Sequence, residues 1–502
     1  MKRHIRYAST ASLVLAATIV ATSCSSNSSS TTTTAATSTK DTPTTLPRPS
    51  GPVPTFAPIT GNKAPFIASA VTDDLAAKGY VQEEFTADGS ASAYASSNGF
   101  GSDGRWKFTP TTTAPYRTRV LVRRPKDASK FSGTVAVEWL NVSSGMDAAP
   151  DWSSVGADMV RNGDAWVGVS AQTIGVMGGP VLVSVGIGPA GQGLVKIDPQ
   201  RYGSLHHPGD GYAFDIFTQV GRAARAGSIL GSLRPARVIA LGESQSAFAL
   251  VTYVNGVQPL TRTFDGFFVH SRGAVGLPLA APGKAAGIAD AIAGTPVIFR
   301  TDQPWPVLDA QTESDVSGVL DSFAARQPDS TTFRLWEVAG TAHADRSMLG
   351  PVANQIDCKV AVNDGPMRFV ASAAYRHLVD WVKTGNAPTS TPRFATTGAS
   401  KPEIARDRDG IAIGGVRTPV VDAPVDVLSG ITAKDPSTIC MLLGSTTPLP
   451  AARIAERYAS RQTYLDEFTK YTDSVVRAGW ILSADRAAVL ALARPDRVGG
   501  AG

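Results

Sequence analysis

In Val238-Ile239-Ala240-Leu241-Gly242-Glu243-Ser244-Gln245-Ser246-Ala247, an apolar and β-branched run leads through a serine into small residues. The run before Gly242 is typical of a buried strand, and Phe248-Ala249-Leu250-Val251 can begin a helix. A sharp turn between the two would hold the Ser244 hydroxyl clear of the sheet. The same turn would aim the free N–H groups of the helix N-terminus at the place where an oxyanion forms. We therefore predict a nucleophile elbow with Ser244 at its apex.

One position departs from the usual form of this elbow, which is Gly-x-Ser-x-Gly. Ser246 stands where the last glycine is expected, and serine is small enough for the close packing of strand and helix. The stretch also fits an ordinary turn from strand to helix in which Ser244 is an N-cap. The partners of Ser244 elsewhere in the chain decide between the two interpretations.

Strand-like and helix-like runs alternate through the rest of the chain, which predicts a mainly parallel sheet with helices on both faces. Residues 171–209 and 273–296 are rich in glycine, proline and alanine and are predicted either as a lid or as surface loops. The predicted strands are 119–122, 134–140, 165–170, 264–270, 307–311 and 333–338, and the predicted helices outside the elbow are 211–230 and 368–383.

A serine nucleophile needs an imidazole as its base, and we predict His343 in this role. It follows the strand-like run 333–338 in a loop of small residues, from which the ring can reach a serine on a neighbouring strand. A surface-loop histidine is the alternative interpretation. His4 lies in the N-terminal segment. The remaining histidines are predicted to line the pocket or to pack in the core: His206, His207, His270 and His377.

The carboxylate that orients the base should precede it, in the order Ser, Asp or Glu, His. Thr312-Glu313-Ser314-Asp315 follows the strand-like run 307–311 directly, at the end of the strand where ligands bind in such sheets. We predict Asp315 as the acid, with Glu313 as the alternative and Asp302 as an outside candidate. The cluster could instead serve only as a cap for the following helix.

An oxyanion needs two N–H donors. The backbone of Gln245, which follows the nucleophile, is the first predicted donor. The second is expected from the loop after an earlier strand, and we assign it to the backbone of Asn141 or Val142. Motifs for metal binding such as His-Glu-x-x-His are missing from the sequence, so we predict no metal and no cofactor. The sequence has no basic tract with interleaved aromatics, which argues against a nucleic-acid partner.

Residues 1–23 predict an export signal, because three basic residues precede a short apolar run. Val20-Ala21-Thr22-Ser23-Cys24 is similar to a lipoprotein cleavage box, although leucine is more usual at Ala21. Cys24 is therefore predicted to carry a lipid that anchors the chain to the membrane, facing the outside of the cell. A plain secretory signal is the alternative. Loss of the three basic residues with the signal lowers the formal net charge from +5 to +2, so charge indicates no particular partner.

Residues 24–56 consist mostly of Ser, Thr, Pro and Ala and are predicted to form a flexible tether. Residues 57–502 contain no second linker and no internal repeat, and they are predicted to form a single domain with insertions. Beside Cys24, only Cys358 and Cys440 are present. An even pair in an exported chain favours a disulfide, and two free buried thiols are the alternative.

Seven stretches follow one another in an order that a known family shares: Val137–Ser143, Ala165–Gln172, Arg201–Asp210, Gly242–Ser246, Thr312–Asp315, Gly340–Asp345 and Asn363–Pro366. In this order the chain resembles α/β-hydrolases, and more narrowly a family of large bacterial α/β-hydrolase-domain proteins of mostly unassigned substrate. The resemblance implies the α/β-hydrolase fold, with a mostly parallel sheet of eight strands, helices on both faces and possible lid insertions. It also implies Ser244 as nucleophile, His343 as base and a carboxylate from the turn 313–315.

We therefore expect an exported serine hydrolase that cleaves small-molecule or lipid carboxylic esters through an acyl-enzyme on Ser244. Transfer of the acyl group to an alcohol or amine would instead make it an envelope acyltransferase, and a peptide substrate would make it a peptidase. These alternatives share one machinery. A non-catalytic binding protein on a hydrolase scaffold is the third possibility, against which the order of serine, acid and histidine argues.

Overall fold

The elbow strand lies near the middle of a nine-stranded sheet in the computed structural model of the protein. The structure describes residues 48–61, 63–68, 74–183, 188–398, 402–432 and 437–499. The strands are β1 (Thr55–Pro58), β2 (Tyr80–Ser96), β3 (Phe108–Pro125), β4 (Thr134–Trp139), β5 (Ala165–Val169), β6 (Arg237–Glu243), β7 (Gly266–His270), β8 (Val307–Thr312) and β9 (Phe333–Val338). Their spatial order is β1-β2-β3-β5-β4-β6-β7-β8-β9.

The sheet is mostly parallel, as predicted. Strands β5, β4, β6, β7, β8 and β9 are parallel to one another, whereas β1, β2 and β3 are antiparallel to their neighbours. The predicted number of eight strands is wrong, because the short strand β1 pairs with β2 and adds a ninth. This pairing uses backbone groups of an edge strand, so the composition of the β1 segment does not reveal it.

The order of the parallel strands places the elbow beside several other loops. Strand β4 has β5 on one side and β6 on the other, although both follow it in sequence. The loops after β4 and β6 therefore separate at a topological switch point, where sheets of this kind bind their ligands. The loops after β8 and β9 leave the same edge of the sheet, because these strands are parallel to β6.

Helices cover both faces of the sheet, as predicted. They are α1 (Pro150–Asn162), α2 (Thr173–Met177), α3 (Gly193–Ile197), α4 (Pro199–Tyr202), α5 (Ala213–Ala226), α6 (Gln245–Thr252), α7 (Gln258–Thr261), α8 (Ile288–Ile292), α9 (Glu313–Ser317), α10 (Arg346–Leu349), α11 (Met367–Thr384), α12 (Pro419–Asp422), α13 (Thr438–Leu443), α14 (Ala451–Arg457), α15 (Arg461–Arg477) and α16 (Arg486–Leu490). None of the helices in the described ranges is long and apolar enough to cross a bilayer.

The side chains of β6 show how the two faces are divided. Val238 and Ala240 pack in the core shared with α5 and α6. Ile239 and Leu241, which alternate with them, pack in the core shared with α1 and α11. Because successive side chains of a strand point to opposite faces, a strand buried on both faces is apolar throughout. The elbow thus follows a strand that is buried on both faces.

The described residues after α11 form two small two-stranded antiparallel sheets and the helices α12 to α16. The small strands are β10 (Thr396–Thr397), β11 (Glu403–Ile404), β12 (Asp426–Ser429) and β13 (Ser445–Pro448). The described residues from Arg48 onward belong to one compact unit. Within this unit, the predicted disulfide between Cys358 and Cys440 is present and joins the segment after β9 to α13.

The predicted boundary at residue 57 is too late. Strand β1 begins at Thr55, and the Arg48 guanidinium already donates to the Arg262 carbonyl at 2.7 Å and pairs with Asp265. The folded part of the chain therefore includes residues 48–56, which were predicted as the end of the tether. The predicted signal at 1–23, the lipidation site Cys24 and the tether as far as residue 47 lie outside the described residues.

Candidate active site

The chain turns sharply between β6 and α6, with Ser244 at the apex. The Ser244 backbone has φ 57° and ψ −121°, a conformation that is strained for a residue other than glycine. Its N–H donates to the His270 carbonyl at 2.9 Å, which ties the turn to the end of β7. A Cβ added to Gly242 would lie 2.8 Å from the Ser246 carbonyl oxygen. Strand and helix are therefore in close contact, and Ser246 is buried there in place of the usual glycine.

Ser244, Asp315 and His343 come together from the segments that follow β6, β8 and β9 at the C-terminal edge of the sheet. The Ser244 Oγ lies 2.8 Å from His343 Nε2, and His343 Nδ1 lies 2.6 Å from Asp315 Oδ1. An ionised carboxylate can only accept, so Nδ1 donates to Asp315 and, in the neutral ring, Nε2 accepts from Ser244. Asp315 is fully buried, His343 is 5% exposed and Ser244 is partly exposed. This is the geometry of a Ser-His-Asp triad.

The Thr312–Asp315 turn holds the Asp315 carboxylate in place. Its Oδ2 accepts from both the backbone N–H and the hydroxyl of Thr312, each at 2.7 Å, which forms a capping box at the start of α9. Asp315 therefore fits both interpretations from the sequence. Its Oδ2 caps α9, and its Oδ1 contacts His343. The Ser314 hydroxyl also accepts from the His343 backbone N–H at 2.8 Å. The turn thus positions the ring and its loop together.

Glu313, the alternative acid, points away from His343. Its Oε1 accepts from the Gly340 N–H at 2.7 Å, and its Oε2 accepts from the Gly430 N–H at 3.1 Å and from Arg406 at 2.7 Å. The Glu313 carboxylate thus binds backbone and arginine groups that support the loop before His343. The outside candidate, Asp302, pairs with Arg300 at 2.7 Å.

Residues of the Asn363–Pro366 stretch support the same loop. The Asn363 side chain donates to the Gly340 carbonyl at 3.2 Å and to the Ser429 carbonyl at 3.0 Å. Its backbone carbonyl accepts from the Arg346 N–H at 2.9 Å. Gly340 itself has φ 72°, so a residue with a side chain would be strained at this turn. The loop that carries His343 is therefore held from both ends.

The other histidines have partners outside this group. His207 Nε2 is 2.8 Å from the Ala171 carbonyl, and His377 Nε2 is 2.8 Å from the Gly479 carbonyl. His270 Nδ1 is 3.0 Å from the buried Asp151 carboxylate. His206 is exposed, and its backbone bridges to Arg117. The rings of His207, His270 and His377 thus have partners other than Ser244, whereas the described contact of His206 involves only its backbone.

Charged groups around His343 favour the protonated ring. Burial lowers the pKa of the imidazole, but the Asp315 and Glu243 carboxylates and the hydrogen bond to Asp315 outweigh it and raise the pKa of His343 to about 9. Burial also opposes ionisation of Asp315, yet the His343 ring and the bonds from Thr312 hold the pKa of Asp315 below its usual value. The site therefore stabilises an imidazolium between two carboxylates.

The second of these carboxylates, Glu243, was not predicted from the sequence. Its Oε1 lies 3.4 Å from His343 Nε2, and its Oε2 and carbonyl are contacted by the Asn141 amide at 3.4 and 3.0 Å. Burial raises the pKa of Glu243 to about 7, although the His343 and His270 rings act to lower it. A signal for this residue was present in the sequence, since it directly precedes the predicted nucleophile.

The N–H groups predicted as oxyanion donors differ in whether they already have an acceptor. Gln245 is the first residue of α6, so its N–H has no acceptor within the helix. Asn141 is wrong as a backbone donor, because its N–H donates to the Ala148 carbonyl at 2.9 Å in a short antiparallel bridge. The Val142 N–H donates over 3.3 Å to Gln245 Oε1. The Ser143 hydroxyl, by contrast, borders the same cavity as Ser244 and has no partner among the described residues.

A buried chain of side chains explains two further stretches of the sequence. The Gln245 amide donates to Gln172, whose own amide donates to Asp210 Oδ2 at 3.0 Å. Trp139 Nε1 also donates to Gln172, at 3.0 Å. Asp210 in turn accepts from the Thr173 N–H at 2.6 Å. The Ala165–Gln172 and Arg201–Asp210 stretches therefore fix the side chain of the residue that follows Ser244.

The model of a family of alpha/beta hydrolase domains matches residues 51–491. Because this match spans most of the chain, the protein belongs to that alpha/beta hydrolase family. The resemblance predicted from the seven stretches is thereby confirmed. No curated protein matches the sequence. Among the described residues, no three His, Cys, Asp or Glu side chains are grouped so that they could hold a metal ion.

Solved structures similar to this chain are also hydrolases, at low identity. An esterase from Rhizomucor miehei is 12% identical, with 60% of this chain and 85% of that chain covered and a TM-score of 0.31. A serine hydrolase without a lid from Xanthomonas campestris is 12% identical, with 57% and 94% covered and a TM-score of 0.29. A glucuronoyl esterase from Teredinibacter turnerae is 13% identical, with 56% and 72% covered and a TM-score of 0.26. Likenesses at this level say nothing about the substrate of this protein.

Proposed function

We propose that the protein is an exported serine hydrolase that cleaves carboxylic esters through an acyl-enzyme on Ser244. The observation that carries the proposal is the 2.8 Å contact between Ser244 Oγ and His343 Nε2 at a strained elbow. A serine hydroxyl becomes an effective nucleophile when a base is held within hydrogen-bond distance. The 2.6 Å contact with Asp315 supports this role, because it orients the ring that must take the proton.

The reaction proceeds in two halves. As Ser244 Oγ attacks the acyl carbon, its proton passes to His343 Nε2, and the carbonyl oxygen becomes an oxyanion beside the Gln245 N–H. The C–O bond to the alcohol breaks, and His343 gives its proton to the leaving oxygen. Water then attacks the acyl-enzyme with His343 again as base, which releases the acid and restores Ser244. Asp315 stays ionised throughout and stabilises the imidazolium.

Export is the second part of the proposal. The pattern of residues 1–23 supports it, and so does the Cys358–Cys440 disulfide, because disulfides persist in oxidising compartments. A lipid on Cys24 would hold the enzyme at the membrane without a spanning helix. The substrate would then be a small-molecule or lipid ester on the outer side of the cell membrane.

The purified exported protein is expected to hydrolyse p-nitrophenyl butyrate and to lose this turnover after reaction with one equivalent of a fluorophosphonate. The measurement is p-nitrophenol release, with and without an added alcohol. Preferential formation of the butyrate ester of the added alcohol would instead identify an acyltransferase that uses the same site. A well-folded protein with no turnover in either assay would favour the binding-protein alternative.

The Glu243→Gln variant is expected to reach half-maximal kcat/KM at a lower pH than the parent protein. His343 must be neutral to accept the Ser244 proton, so a raised pKa makes the parent's activity rise with pH towards about 9. Removing one of the two carboxylates lowers the pKa of His343, and this should move the acid limb down by about one pH unit. The plateau should also fall, because the imidazolium loses a charge partner.

The pH profile of kcat/KM separates this role from a merely structural one. The charged groups that face Glu243 are His343, His270, Asp151 and Asp315, and the variant keeps all of them. The control is Glu456→Gln, which removes an exposed carboxylate far from the elbow in sequence and should leave the profile unchanged. An acid limb at the same pH in Glu243→Gln and the parent would show that Glu243 does not tune the base.

A further inference from the structure

Ser244 and His343 border a cavity of about 590 Å³. Sites for small molecules typically enclose about 300–1,000 Å³, so this cavity can hold much more than an acetyl group. Its walls come from the segment before β2, from the loops after β4 and β5, and from the segment after β9 together with α13. Of the two segments predicted as a lid or as loops, 171–209 contributes Val183, Gly188 and Pro189. No described residue of 273–296 belongs to the lining.

Apolar side chains dominate two parts of the lining. Each methylene that moves from water onto such a surface favours binding by about fourfold. The first part is provided by Phe66, Ile67, Met146 and Val183, and the second by Met348, Leu349, Pro351, Val352, Ile439 and Leu442. The cavity thus favours binding of a substrate group that is itself apolar and several carbons long.

The ionisable groups of the lining select against negative charge. Among the described lining residues only Glu243 and His343 can carry a charge, and neither lysine nor arginine is present. A carboxylate or phosphate on the substrate would therefore lose its hydration without pairing with a cation. The His343 ring cannot serve as that cation during the reaction, because it must be neutral to accept the Ser244 proton. The Glu243 carboxylate adds repulsion at the reacting end.

The second apolar part of the lining is held in place by covalent and backbone bonds. The Cys358–Cys440 disulfide joins the segment with Leu349 and Val352 to the helix with Ile439 and Leu442. The Ala344 N–H also donates to the Leu442 carbonyl at 3.2 Å. A surface fixed in this way is already formed before the substrate arrives, so little ordering free energy opposes binding.

We propose that the substrates are uncharged carboxylic esters with an apolar chain of medium length, which lies along the apolar lining while its carbonyl reaches Ser244. This inference rests on the proposed function and names the substrate class of the same site. Esters whose chain ends in a carboxylate or phosphate should be poor substrates.

Two matched comparisons test the substrate class. The kcat/KM for p-nitrophenyl octanoate should exceed that for p-nitrophenyl acetate by about 10²-fold or more, because six further methylenes contact the cavity. p-Nitrophenyl hydrogen suberate has the same chain length as the octanoate but ends in a carboxylate. It should be cleaved at least about tenfold more slowly than the octanoate, because its charge has no partner.

A substitution in the lining tests where the apolar chain of the substrate lies. Val352→Trp fills part of the cavity and should lower the octanoate-to-acetate ratio of kcat/KM by about tenfold. Val360→Trp is the control, since Val360 is half-buried like Val352 and lies close to it in sequence, but is not part of the lining. That variant should keep the parent ratio. Labelling of both variants by a fluorophosphonate at the parent rate verifies that the nucleophile is intact.

The outcomes separate the two proposals. Turnover of none of the three esters counts against the proposed function itself. Turnover with acetate preferred, or with suberate cleaved as fast as octanoate, overturns the substrate class and leaves the hydrolase assignment standing. An octanoate preference that is unchanged in Val352→Trp, or that falls equally in Val360→Trp, contradicts the proposed position of the substrate chain.

Discussion

Ser244→Ala and His343→Ala are each expected to lower kcat for an ester substrate by at least about 10⁴-fold, because each removes a member of a unit that acts together. Alanine at position 244 leaves no oxygen to attack the acyl carbon. Alanine at position 343 leaves the Ser244 proton without an acceptor at 2.8 Å. Residual turnover should come only from substrate binding and from the oxyanion donors. The measurement is steady-state hydrolysis of p-nitrophenyl butyrate.

Two controls distinguish this effect from damage to the fold. Ser246→Ala removes a buried hydroxyl two residues away in the same elbow, and this hydroxyl has no partner among the described residues. His206→Ala removes an exposed imidazole. Both variants should retain activity within about threefold of the parent, since surface or unpartnered groups contribute little. Full activity in Ser244→Ala or His343→Ala would show that the wrong residue was assigned.

Asp315→Asn is expected to lower kcat by about 10³–10⁴-fold, whereas Glu313→Gln should lower it less than about tenfold. The amide that replaces the Asp315 carboxylate cannot stabilise an imidazolium as the carboxylate at 2.6 Å does, and it favours the wrong tautomer of His343. Glu313→Gln leaves this contact intact. The measurement is kcat for both variants at a pH where the parent is fully active.

Glu313→Gln is expected to lower stability rather than activity. Its carboxylate is fully buried and accepts from Arg406 and from two backbone N–H groups, so Glu313→Gln should lower the free energy of unfolding by about 1–3 kcal/mol. Denaturant unfolding of both variants measures this loss. A severe loss of kcat in Glu313→Gln at unchanged stability would overturn the assignment of Asp315 as the acid.

The elbow and the position of His343 beside it could be predicted because their signals are local. Strand β6 is buried on both faces, so the run Val238–Leu241 is apolar without interruption, and the strand ends just beyond Gly242, at Glu243. Strands β8 and β9 are also buried but include polar residues such as Asp309 and Glu337, and the segments that follow them carry Asp315 and His343. Once parallel strands are recognised, the rule that sites lie at their C-terminal ends brings the three residues to one edge.

The choice between Asp315 and Glu313 depended on contacts that are distant in sequence. Both carboxylates lie in one turn of α9, and only the third position of a helix can reach back to the N-cap. Glu313 finds its partners at Gly340 and Gly430, far along the chain. The assignment of Asn141 as second oxyanion donor failed for a similar reason, since the bridge to Ala148 occupies its N–H, while the N–H of the alternative, Val142, contacts the Gln245 side chain.

The antiparallel edge of the sheet was also largely missed. Only 119–122 was predicted as a strand, whereas β3 runs from Phe108 to Pro125 and pairs with the long strand β2. Much of this hairpin carries Thr, Ser and Ala, with exposed side chains near its turn, so no continuous apolar run marks it. Backbone pairing stabilises such strands, and a pattern of hydrophobic residues does not report it.

The position of a fluorophosphonate adduct tests the central claim most directly. The exported protein would be reacted with the probe, digested and analysed by mass spectrometry, with Ser244→Ala treated in parallel. The hydroxyl at the strained elbow beside His343 should carry the adduct, on the peptide that contains Ser244, and the variant should carry none. A well-folded protein that stays unlabelled, or an adduct on another residue such as Ser143, would contradict the assignment of Ser244 as the nucleophile.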